Sequence, residues 1–231
     1  MKIAIMQPYF FPYIGYFQLI NAVDVFIIYD NIQYTKKGWI SRNRFLQNGK
    51  DSLFSISLKK DSDFLDVRDR VIATEFNKQK LFNQIVQAYK KAPYFMQFIP
   101  LFEKILFNDE TNLFKFIYFS IREICNILEI NTEIIISSNV AIDHSLKSQE
   151  KVIAICKENG AGVYVNPIGG LELYSKESFR EHGIDLRFIK SKLIEYEQFN
   201  NVFFPWLSII DVMMFNSKEE IKGYLDCYDL I

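Results

Sequence analysis

Short apolar runs alternate with amphipathic stretches along this chain. KIAIMQ (2–7) and VFIIYD (25–30) are brief and apolar, and each predicts a buried strand. YIGYFQLINA (13–22) predicts a helix between them, with Pro12 where a first turn tolerates proline. The opening therefore predicts β-α-β, and LFSISL (53–58) predicts a third strand before a charged connection over 59–74. Helices are predicted over 77–91, 94–107 and 112–129. In the last, Phe116, Phe119, Ile124, Ile127 and Leu128 recur at helical spacing. TEIIISS (132–138) returns to strand, and SQEKVIAICKEN (148–159) is a helix closed by Gly160. GVYVNP (162–167) predicts a strand, SKESFREHG a short helix and DLRFIK (185–190) a strand, with two helices near 207–215 and 217–228.

Strands alternate with helices at both ends, around a helical block. The pattern predicts one α/β domain over 1–231, with a mostly parallel sheet, a helical insertion at about 77–130 and C-terminal helices. Ligands of such sheets bind beyond the carboxyl ends of the strands. The candidate loops are then 7–13, 30–44, 137–148 and 166–170, where polar, Gly and Pro residues concentrate.

Composition narrows the class. With 231 residues and 49% hydrophobic content, the chain can bury a large core. Its net charge of −1 gives no reason to expect a nucleic-acid partner. Cys125, Cys156 and Cys227 are far apart and make neither a CxxC pair nor a disulfide framework, which fits a reducing compartment. Gln7, Pro8, Pro12 and Gln18 interrupt the N-terminal apolar stretch, so no signal peptide is expected. Lys115, Arg122, Glu123 and Glu129 make LFKFIYFSIREICNILEI a core helix rather than a membrane span. A cytoplasmic protein is expected.

The densest polar cluster, YDNIQYTKKGWISRNRF (29–45), follows a core strand directly. Between residues 30 and 50 the net charge is +4. If this segment is extended, Arg42 and Arg44 share one side and can grip a phosphate or diphosphate through paired bonds; the alternative is a solvated hairpin with surface Lys and Arg. Trp39 can stack on a ring, Asp30, Asn31, Gln33 and Asn43 can bond hydroxyls or an amine, and Lys36 adds charge. In MQPYFFPYIGYF, a strand, a Pro-bounded loop and a helix start offer free N–H groups to an anion. Gln7 and Tyr13 flank that loop, and Gly15 permits close approach. In VNPIGGLELY, Asn166 and the Gly169–Gly170 turn are a further ligand-binding candidate, or an ordinary turn. His144 stands beside Asp143 in a post-strand loop, where an Asp–His pair can act as general base. His182 precedes Gly183 at a helix end, a structural position. Asp211 stands three residues after Ser208. That is capping-box spacing, but an acid on an apolar segment is also a candidate buried functional carboxylate. Without a GxGxxG, a Walker loop or a His/Cys cluster, no cofactor or metal is expected.

Three segments carry a resemblance: MQPYFFPYIGYFQLINAVDVFIIYDNIQYTKKGWISRNRF, KSQEKVIAICKENGAGVYVNPIGGLELY and YEQFNNVFFPWLSIIDVMMFN. Together they resemble the WbqC-like family of bacterial proteins over nearly the full chain. The resemblance implies a role in cell-surface polysaccharide (O-antigen, lipopolysaccharide) synthesis, in a family described as glycine transferases acting on an amino sugar. The chain departs from that pattern in KSKLIEYEQ, where a histidine is expected before the Tyr-x-Gln. The opening, with G-Y-F-x-L-I and then A-x-x-V, also resembles the nucleotidyltransferase type of Rossmann-like fold, without that fold's two signature histidines.

The expected function is N-acyl or aminoacyl (glycine) transfer to a nucleotide-linked amino sugar, from an acyl or aminoacyl donor that the sequence does not identify. Asp30 or His144 would act as base, and the arginines would hold the diphosphate. The alternatives are an ATP-dependent amide ligase and a non-catalytic binding protein of polysaccharide assembly. The aromatic-rich helical block offers a face for a homodimer.

Overall fold

The computed structural model describes residues 1–199 and 202–231. Six strands form the central sheet: β1 (Lys2–Met6), β2 (Val25–Ile28), β5 (Glu133–Ile136), β6 (Val163–Pro167), β7 (Asp185–Ser191) and β8 (Tyr228–Leu230). They lie in the order β5-β2-β1-β6-β7-β8, parallel except for β8. Counted along the chain, that order is 3-2-1-4-5-6, the arrangement of doubly wound α/β sheets. β1 pairs with β2 on one side (Ile3 opposite Val25) and with β6 on the other (Lys2 opposite Val163).

Strand alternation sorts the side chains into two layers. Ile3 and Ile5 of β1 pack with Val152, Ile155 and Cys156 of α5 (Ser148–Glu158) and Phe179 of α6 (Lys176–Glu181). Ala4 faces the other way, toward α1 (Ile14–Asn21) and the larger core. That core takes in the helical block of α2 (Lys78–Tyr89), α3 (Phe95–Leu106) and α4 (Leu113–Ile127). It continues into α7 (Ile209–Phe215) and α8 (Lys218–Tyr224). Both faces of the sheet are covered, as the fully buried VFII of β2 requires. Gly160 closes α5 in the left-handed region (φ 65°), as its position predicts.

Two features depart from the sequence pattern. The strand expected at 53–58 is β4 (Lys50–Ser55), and it does not join the main sheet. It pairs with β3 (Arg42–Gln47), the segment considered extended above, in a separate antiparallel hairpin. Asn48 and Gly49, both at positive φ, form its turn, and Asn-Gly is the residue pair such a turn favours. Arg42 and Arg44 disguised the strand, because the buried partners of the alternation are Asn43 and Phe45. At the C-terminus, the helix expected to reach 228 stops at Tyr224. The chain then turns into β8, and Phe188 and Ile231 exchange backbone hydrogen bonds.

Candidate functional site

The sheet changes direction of winding between β1 and β6, and a crevice is expected outside the carboxyl ends of the strands there. A cleft of about 450 Å³ opens at that place. Met6, Tyr9 and Tyr13 come from the end of β1 and the loop after it, and Pro167 and Ile168 from the end of β6. Ile189 and Ser191 come from β7, Trp39, Asn43 and Arg44 from the hairpin, and Trp206 from the segment before α7. Lys190 also borders the cleft, but alternation turns its side chain to the opposite face from Ile189 and Ser191.

The loop after β1 is held in an unusual shape. Phe11 has φ 44°, a strained conformation for an aromatic residue. Its carbonyl accepts from Asn43 Nδ2 at 2.9 Å and from Ser208 Oγ at 2.7 Å, and Pro12 O accepts from the Ile209 amide. Ser208 N in turn bonds Arg44 O. Three segments far apart in sequence are thus tied at one point. Asn43 is buried and acts here as a tie rather than a free ligand group. Trp206 also has positive φ (61°) and meets Tyr13 edge-on at 5.2 Å. Gly15 lets α1 approach β7, since a Cβ there would stand 2.7 Å from Ser191 Oγ. Burial raises the Tyr13 hydroxyl to about 12, which keeps it a neutral donor.

Arg42 and Arg44 do share a side, as their i, i+2 spacing predicts. Their guanidinium carbons lie 5.6 and 5.5 Å from the Trp39 ring centroid. They open on different spaces. Arg44 lines the cleft and donates to Asp51 at 3.0 Å, and its Nε is buried with no partner. Arg42 bonds the carbonyls of Lys37 and Gly38 and lines a separate groove.

The ends of β2 and β5 hold a second polar cluster. The Asp30 carboxylate accepts from Ser137 Oγ (2.8 Å), Ser138 N (2.9 Å) and Ser138 Oγ (2.7 Å). Asn31 lies between Ser137 and His144, with its Nδ2 3.0 Å from His144 Nδ1. The histidine thus meets Asn31 and not its neighbour Asp143, which bonds Ser145. Lys151 is buried beside them, 5.0 Å from the Tyr29 ring centroid. Burial pulls its pKa down, against the opposing pull of Asp66 and Asp30. Asp30 is buried, and neither it nor His144 lines the cleft.

The remaining candidates fall elsewhere. Gln7 contributes its carbonyl to the Tyr16 hydroxyl. Gln33 and Lys36 fasten their loop to Asp63. Asn166 is buried beneath Gly170, where a Cβ would fall 1.9 Å from its amide nitrogen, while Gly169 has open space. Asp211 is fully buried and does not cap α7; Ser208 does that alone. Its carboxylate accepts from Tyr89 (2.7 Å), Tyr196 (2.7 Å) and Gln198 (2.6 Å). Of the third segment, Asn200 and Asn201 lie outside the described residues. Sequence reasoning missed Trp206 and Ser191 as wall residues. The exposed Trp after Pro205 was the available signal for the first; Ser191 had none.

Among the described residues no group of His, Cys, Asp and Glu is arranged to hold a metal, and no helix is long and apolar enough to cross a membrane. The fold defines a doubly wound α/β protein with a cleft at its switch point. The WbqC-like protein family model matches residues 7–223, and the chain belongs to that family. It is 28% identical over 228 residues to the uncharacterized protein Rv1507c of Mycobacterium tuberculosis, covering 97% of each chain. No solved structure matches.

Proposed function

We propose that the protein transfers an N-acyl or aminoacyl group, such as glycine, to a nucleotide-linked amino sugar in cell-surface polysaccharide synthesis. One observation carries the reading: the switch-point cleft joins aromatic walls to a single guanidinium, Arg44, whose Nε has no partner. Sugar faces stack on indole and phenol rings, and a guanidinium pairs with phosphate. The start of α1 has no side-chain cap at Tyr13, so its free N–H groups add to the pull on an anion. The strand order supports a Rossmann-like reading of the sheet. In this reading His144, the exposed member of the second cluster, exchanges the proton of the attacking amine, and Asp30 fixes the serines behind it.

A second reading also has an observation behind it. Neither Asp30 nor His144 lines the cleft, which favours a binding protein that holds its sugar without reacting it.

Calorimetry on the purified chain with UDP- and dTDP-linked amino sugars, bare nucleotides, ATP and coenzyme A tests both. Sugar-nucleotide binding that Arg44→Ala weakens by roughly 1.5–3 kcal/mol supports the cleft assignment. Turnover lost in His144→Ala with binding kept supports transfer, and turnover unchanged in that variant removes His144 from it. Binding of ATP alone, with amino-acid-dependent pyrophosphate exchange, would replace transfer with ligation.

A further inference from the structure

Arg42, which stands with Arg44 at the Trp39 ring, lines a separate groove of about 440 Å³. It is lined by Lys36, Arg42, Lys59, Lys60 and Arg70, with Asp61 and Asp63 as its acids. Five cations face two carboxylates, so the groove has a net charge of +3.

Arg70 sets this groove apart from a solvated basic surface. Its residue is only 5% exposed, and its main chain is fixed by bonds to Val67 and Leu113. Its Nη1 donates to Ser62 O at 2.9 Å, and its guanidinium lies over the Tyr34 ring, 5.0 Å from the centroid. Its Nε is buried without a partner, and among the described residues no carboxylate oxygen lies within 4.0 Å of it. Asp63, whose carboxyl the Arg70 charge helps to pull down, is already paired with Lys36 at 2.6 Å. A buried guanidinium is costly unless a counter-charge compensates it, and its planar fork matches phosphate. The Tyr34 and Ser41 hydroxyls, 2.7 Å apart on the same wall, can add neutral bonds.

We infer that this groove is a second ligand site, for a phosphoryl anion, with the Arg70 guanidinium at its floor and Lys59 and Lys60 at its rim. It goes beyond the proposed transferase reading and does not depend on what the cleft binds. A phosphate or diphosphate group supplies the missing counter-charge, and both lysines are exposed enough to close on it.

Titration calorimetry of the full chain with inorganic pyrophosphate, with dTDP and with thymidine tests the inference. Pyrophosphate and dTDP should bind and thymidine should not. In Arg44→Ala, where the cleft's own phosphate contact is gone, a stronger response to dTDP than to pyrophosphate identifies the groove's source as a nucleotide; a response to dTDP no stronger than that to pyrophosphate identifies the bare anion. Lys59→Ala/Lys60→Ala, a surface change that leaves the fold intact, should weaken pyrophosphate at least tenfold. Arg70→Met should abolish binding in protein whose circular dichroism is unchanged. Arg44→Ala should leave pyrophosphate affinity within twofold. Absence of binding, or affinity unchanged in the double lysine variant, overturns the site. Pyrophosphate lost in Arg44→Ala but kept in the lysine variant would move the anion to the cleft, refuting the groove while supporting the cleft assignment.

Discussion

The hydroxyl of Tyr89, at the end of α2, donates to Oδ1 of Asp211 on α7 at 2.7 Å, across 122 residues of sequence. The same hydroxyl accepts the Leu46 amide of β3 at 2.8 Å. One buried oxygen therefore joins the helical block, the hairpin and the C-terminal helices. Through Tyr196 and Gln198, Asp211 also anchors the segment that leads to Trp206 on the cleft wall.

Tyr89→Phe keeps the ring and removes the oxygen. It strands a buried amide and weakens the hold on a buried carboxylate, so stability should fall by roughly 2–3 kcal/mol. Urea denaturation measures this. A loss below about 0.5 kcal/mol, in the range of ordinary surface changes, would show that the hub carries little energy.

Asp211 should make stability depend on pH in a direction opposite to most carboxylates. Burial raises its carboxyl to about 6, although Tyr196, Tyr89 and Gln198 all pull it down. The folded chain then holds a proton that the unfolded chain releases between about pH 4 and pH 6. Its contribution is fully favourable below about pH 4 and declines by roughly 3 kcal/mol as pH rises through 6. Between pH 7 and pH 4, wild type should gain stability relative to Asp211→Asn. A flat difference across that range would refute the assignment.

Gly170→Ala should destabilise the loop after β6 by roughly 1–3 kcal/mol, because the new methyl and Asn166 Nδ2 compete for one space. Adding Asn166→Ala removes the clash, so a double-mutant cycle should show strong favourable coupling. Additive losses would mean that the turn, not the contact, needs glycine.

Gly15→Ala probes the cleft with less cost to the fold. Its methyl meets the Ser191 hydroxyl, which can rotate away, and the Tyr13 ring at 3.2 Å. Melting temperature should shift by only a few degrees, while any sugar nucleotide bound in the cleft should lose about tenfold in affinity. Unchanged affinity would place that ligand elsewhere.

Much of this architecture is legible in the sequence, because short apolar runs such as VFII and EIII between amphipathic helices read as strands, the first fully buried and the second half-buried at the sheet edge. The shared side of Arg42 and Arg44 follows from strand geometry in the same way. Apolar alternation does not mark that hairpin as part of the core, because its inward residue at 43 is an asparagine, buried for its hydrogen bonds to Phe10 and Phe11 and not for its hydrophobicity. Asp211 was ambiguous for a related reason. S-x-x-D spacing fits a cap, and only the arrival of Tyr89 and Tyr196 from other parts of the chain decides that the side chain turns inward. Which candidate loops share one cavity depends on strand order, and neither Asp30 nor His144 carries a local signal separating it from the cleft.

Because β1 pairs with β2 nearby and with β6 some 160 residues later, the two walls of the cleft are made at different times during synthesis. A nascent chain that has emerged only through α4 has Tyr13, Trp39 and Arg44 but no opposing wall, and β1 presents an open edge of the kind that invites aggregation. Contacts of such long range close slowly. Capture of any ligand in the cleft would then report a finished sheet, and a partly made or C-terminally clipped protein would be inert toward such a ligand even where its first half has folded.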